Sequence, residues 1–140
     1  MNYPSLQQAI GILVGMGAIA PCQSEADVQQ VQGRCSALNR YLCQQSKFGN
    51  RIETLASPLI GGGVSVGRFA QLFLLAREQG SEQPEQWAQY VWQVLAGQGQ
   101  SLIKDGKTLE GAEANLAELT RQAQAFADQS LVVLKALGIA

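Results

Sequence analysis

The chain has 140 residues, 10 Lys+Arg against 11 Asp+Glu, no histidine and a formal net charge of −1. Such a length suits one domain, or one domain with an appendage, and can bury about 70% of its unfolded surface without a disulfide or a metal. With 46% hydrophobic and 15% charged residues it is not disordered; its charge excludes nucleic-acid binding through bulk positive charge, and the missing histidine excludes Ser-His-Asp and Cys-His catalysis and histidine-built metal sites.

In chain order, Pro4 suits a first helical position, and Leu6, Ile10, Leu13 and Val14 follow at helical spacing to a stop at Gly17. This predicts a helix from about Pro4 to Met16, then an extended link through Ala18, Ile19 and Ala20. Ser24 with Asp27 resembles a capping box, and the stripe Val28, Val31, Cys35, Leu38, Leu42 continues a second helix to about Ser46. Lys47 to Arg51 reads as a polar turn. The period then changes to that of strands, and Ile52 to Val66 predicts a hairpin with a loose glycine tip at Gly61–Gly63. Phe69 to Ala76 forms an apolar helix closed by Gly80. A further helix carries Trp87, Val91, Val94, Leu95, Leu102 and Ile103, with Gly97 and Gly99 inside it. Lys104-Asp105-Gly106-Lys107 is a turn signal. A last long helix places Leu116, Leu119, Ala123 and Phe126 on one face, with a break near Ser130 and an end at Gly138.

The expected fold class is therefore mainly α with a small β-hairpin: a winged-helix-like unit over residues 1–80 followed by a helical C-terminal extension, 81–140, packing on it. The hairpin is expected to be the only sheet, joined at most by the Ile19 region as a third strand.

Few groupings suggest chemistry. Gly61, Gly63 and Gly67 approach the phosphate-cradling fingerprint of dinucleotide folds, but no parallel strand with an acidic ribose ligand follows the next helix. A hairpin tip is the better reading, and no cofactor or metal site is expected in this chain. The carboxylates are scattered, several near helix starts, where they favour the helix dipole without further function. Cys22, Cys35 and Cys43 form no C-x-x-C pair and read as small core residues. No apolar run reaches the roughly 18 residues of a membrane span, and the start lacks a basic leader region, so a cytoplasmic protein is expected. Residues 34–77 carry a net +5, including Arg40, Arg51 and Arg68, while residues 78–140 carry −4. These arginines suggest a contact surface, for protein in preference to nucleic acid. Trp87, Tyr90 and Trp92 span six positions and point in several directions. Trp87 and Trp92 are candidates for a partner surface, or the terminal helix covers them through Leu119, Phe126 and Leu134.

The stretch Leu55-Ala56-Ser57-Pro58-Leu59-Ile60-Gly61-Gly62-Gly63-Val64-Ser65-Val66 with Leu72-Phe73-Leu74-Leu75-Ala76 resembles the C-terminal region of bacterial S-adenosylmethionine (SAM)-dependent methyltransferases that carry a methyltransferase regulatory region, protein-lysine methyltransferases among them. Gly17–Pro21, Leu38-Asn39-Arg40, Leu102–Lys107 with Glu113–Leu116, and Leu134–Ala140 also fit. The resemblance implies a non-catalytic accessory part whose partner is a methyltransferase catalytic domain, in the same or a separate chain. SAM would sit in that domain. A protein substrate and a second copy are further partners it admits. The alternative is a free-standing winged-helix-type module that binds nucleic acid or protein.

Overall fold

The computed structural model describes residues 2–19, 21–49 and 51–140. Helix α1 (Tyr3–Gly15) opens on Asn2, whose side chain accepts a hydrogen bond from the Ser5 amide at 3.0 Å, and stops at Gly17 in the left-handed conformation. Helix α2 (Glu25–Gln45) starts where expected: Ser24 accepts from the Asp27 amide and donates to its carboxylate at 2.5 Å. A 3-10 turn, Ser46–Phe48, ends it. Its inward face differs from the expected stripe. Leu38 is exposed and Asn39 is buried, because the Asn39 amide pairs with both backbone groups of Ala56, at 2.8 Å and 2.7 Å. A side-chain amide there does the work of a neighbouring strand on the edge of β1.

Strands β1 (Thr54–Ser57) and β2 (Gly62–Ser65) form the expected antiparallel hairpin, with Leu55 opposite Val64. Its glycines answer to sterics: a Cβ on Gly63 would lie 2.5 Å from the Thr54 methyl, and one on Gly61, at φ +70°, 2.7 Å from the Gln23 amide. Helices α3 (Arg68–Glu78) and α4 (Pro84–Ala96) follow, and α4 packs on α5 (Gly111–Ala125). A five-residue π turn, Phe126–Ser130, interrupts the last helix near the expected break and leads into α6 (Leu131–Ala136). The fold is mainly helical with small hairpin sheets. Leu55, Leu72, Phe73, Val91 and Leu119 are its fully buried centre.

Two expectations fail. The helix expected to run through Ile103 ends at Ala96, because Gly97 caps it and Gly99 takes φ +65°. Leu102 and Ile103 then lie in extended chain, and β3 (Ile103–Lys104) pairs with β4 (Lys107–Thr108) as a second hairpin. Asp105 and Gly106, both at positive φ, make its turn. The first hairpin is therefore not the only sheet, and it has no third strand among the described residues. Ile19 lies outside any strand, and Ala20 lies outside the described residues.

Candidate functional site

The five residues expected to form a contact surface separate into different environments. Arg68 is half-buried and clamps the end of α2. Its Nε donates to the Ser46 carbonyl at 2.8 Å and its Nη2 to the Lys47 carbonyl at 3.1 Å, while Gln98 and Gln100 accept from the same guanidinium. These bonds satisfy carbonyls that a helix end leaves orphaned, and burial pulls the Arg68 pKa down. Arg40 projects from α2 to an ion pair with Glu78 at the end of α3. Arg51 is exposed beside an open cavity of about 390 Å³ that Tyr41, Phe48 and Ile52 also line.

Trp87 is a core residue, 3% exposed, and does not belong to a partner surface. Its indole N–H donates to the Ser81 carbonyl at 2.8 Å, its ring stands edge-on to Phe126 with centroids 6.1 Å apart, and the Arg77 guanidinium lies over it at 5.8 Å. The C-terminal helix covers it, through Phe126. Trp92 is half-buried at the rim of the same core.

The Arg40–Glu78 pair stands at the mouth of an open cleft of about 340 Å³ between α2, α3 and the chain end. Arg77 adds a second cation, and Asn39, Cys43, Leu55 and Ile139 line the cleft. Burial pushes the Cys43 thiol up to about 12, and the Glu78 charge acts in the same direction. A thiol held protonated is a poor nucleophile. The cleft thus combines an ion pair, one further cation and apolar side chains. Cys22, read as core, is instead exposed, and Cys35 is half-buried. Among the described residues, no three His, Cys, Asp or Glu side chains gather as a metal site, and no helix is long and apolar enough to cross a membrane.

Sequence reading missed three buried polar residues that fix the architecture. Asn115 accepts from the Leu102 amide at 2.8 Å and donates to the Leu109 and Gly111 carbonyls, tying the second hairpin to α5. Glu118, 7% exposed, receives Lys104 of β3 at 2.9 Å, Arg121 at 2.6 Å and Gln122 at 3.0 Å. The bonds from Arg121, then Gln122 and Lys104, hold its carboxyl well below the usual carboxylate range, against the opposing effect of burial. Gln71, fully buried, donates to the carbonyls of Ile52 and Val66. Ser57 also closes the structure, donating to the Leu137 carbonyl at 2.7 Å.

Among the described residues, α1 carries more exposed large hydrophobic side chains than any other element. None of its residues is buried, and Tyr3, Leu6, Ile10, Ile12, Leu13 and Val14 are all at least 41% exposed.

An uncharacterized protein of Synechocystis sp. is 41% identical over 135 residues, a match that takes in 96% of this chain and 26% of that protein. The chain thus spans about a quarter of the length of this relative. Since 135 residues are 26% of it, the relative is roughly 520 residues long. No family model matches the chain. No solved structure matches it.

Proposed function

We propose that this chain is a non-catalytic accessory region of a SAM-dependent methyltransferase, acting through protein contacts with a catalytic domain or its protein substrate. One observation carries the accessory part of this reading: nearly the whole chain matches a quarter of a much longer protein. The methyltransferase part rests on the resemblance at Leu55–Val66 and its companion segments. The quoted segments hold Asn39, Ser57 and Asn115, whose hydrogen bonds join α2 to the first hairpin, the first hairpin to the chain end, and α5 to the second hairpin. Two of the three arginines that a nucleic-acid module would present have other work, since Arg68 binds backbone carbonyls and Arg40 pairs with Glu78, and only Arg51 stands exposed. That favours protein contacts over phosphate contacts.

The gene neighbourhood tests the reading. A methyltransferase coding region fused or adjacent to the coding region of this chain is the expected result. An unrelated neighbourhood, together with a Synechocystis relative whose remaining sequence lacks the acidic-x-Gly-x-Gly loop by which the catalytic domain of the resembled methyltransferases binds SAM, would remove the methyltransferase link.

A further inference from the structure

No residue of helix α1 is buried by the rest of the protein. Leu6, Ile10, Ile12, Leu13 and Val14 are between 41% and 53% exposed, and no charged residue occurs before Glu25. The helix therefore presents an uncharged and largely apolar surface. A Cβ placed on Gly11 or Gly15 would meet open space. A 13-residue helix is at the lower limit of what persists alone in water even for alanine-rich sequences, about 12–15 residues. Gly11, inside the helix, lowers that persistence by roughly 1 kcal/mol. Its apolar surface needs an occupant.

We infer that α1 is a docking helix, and that its occupant is an uncharged apolar groove on the remainder of the longer protein represented by the Synechocystis relative. This rests on the accessory-region reading above. The match to that relative leaves at most five residues of this chain outside it, so at least eight of the 13 residues of α1 belong to the shared segment. In the relative, that segment is attached to roughly 385 further residues, enough for one or two domains. An uncharged helix calls for an uncharged groove, because a charge buried against it would have no partner.

The other occupants fit less well. Two copies of α1, each about 20 Å long and 10 Å wide, cannot by themselves reach the roughly 1,200 Å² of a stable interface. A lipid surface favours helices with a basic polar face, and α1 has no Lys or Arg; it is also shorter than the about 20 residues of a span.

Hydrogen exchange on the intact Synechocystis protein and on the 140-residue chain alone tests the inference. Amides aligned with Tyr3–Gly15 should exchange at least about 100-fold more slowly in the intact protein. Equal rates would overturn the docking. So would protection in the chain alone that rises with its concentration, which would identify a second copy, or protection gained only with phosphatidylglycerol vesicles. A chimera carrying this chain in place of the relative's segment provides the mutational arm. Ile10→Asp with Leu13→Asp should abolish the protection in the chimera while leaving the melting temperature of the isolated chain unchanged. Protection that survives both substitutions would overturn the inference. Protection of α1 in an intact protein that binds no SAM would remove the methyltransferase reading and leave the docking standing. SAM binding with α1 unprotected would do the reverse.

Discussion

At the scale of single residues, hydrogen-bonded polar side chains inside the protein do most to decide its shape. Asn39 holds both backbone groups of Ala56, and Asn115 holds the ends of the second hairpin. Asn39→Ala should lower the stability by about 1–3 kcal/mol, because water reaches the half-buried Ala56 groups only in part. A lower urea midpoint with an unchanged denaturant slope would show it. Neither role is legible in the sequence. An asparagine in a helical stripe reads as solvated surface until the chain that meets it is known. Of the three cysteines expected in the core only Cys43 is buried, since small apolar character does not reveal the depth of each position. Cys22 should react with a water-soluble thiol reagent in the folded protein, while Cys43 reacts only after unfolding; fast labelling of native Cys43 would contradict its burial. Glu118 adds a pH dependence. Its folded pKa lies below the unfolded value of about 4.3, so its stabilisation is complete above about pH 5 and is lost as the pH falls from there toward the folded pKa. The stability difference between the native chain and Glu118→Gln should therefore shrink between pH 7 and pH 2. A difference constant over that range would show that the Lys104 and Arg121 contacts do not set the carboxyl's protonation.

At the scale of elements, local signals carry further. The Ser24 cap, the left-handed stops at Gly17 and Gly138 and the break before Leu131 all stand where sequence reasoning puts them. These are features that neighbouring residues specify by themselves. The tip of the first hairpin is instead Pro58–Gly61, and the expected tip residues Gly62 and Gly63 pair within β2, opposite Ser57 and Ala56. The second hairpin escaped because Leu102 and Ile103 continue the apolar spacing of α4, and periodicity alone does not register that Gly97 and Gly99 have already ended it. The Asp105-Gly106 turn was the available signal, and it marks a two-residue hairpin once the residues before it are read as a strand. The end of the chain shows how an element is locked in place. Gly138 sits at φ +71°, a Cβ on it would lie 2.8 Å from the Pro58 ring, and Gln32 donates to its carbonyl at 3.1 Å. Gly138→Ala should destabilise the protein by about 1–3 kcal/mol through backbone strain and this contact, lowering the melting temperature. An unchanged melting temperature would mean that the C-terminal turn does not dock in solution.

At the scale of the whole molecule, the core closes around Phe73, Trp87 and Phe126, with the C-terminal helix as its lid. Acrylamide should therefore quench Trp92 in part and Trp87 very little. Strong quenching of both indoles would mean that the lid is open. What this packing leaves uncovered is α1, together with the open cleft lined by the Arg40–Glu78 pair and Arg77. The most direct measurement is a pair of thermal shifts with SAM, one on the intact Synechocystis relative and one on this chain alone. A ligand at 100 times its dissociation constant stabilises a fold by about 2.7 kcal/mol, a clear shift in melting temperature. The expected result is a saturable shift for the intact relative and none for the 140-residue chain. A saturable shift for the chain alone would contradict its accessory role, and no shift for the intact relative would contradict the methyltransferase to which that role is assigned.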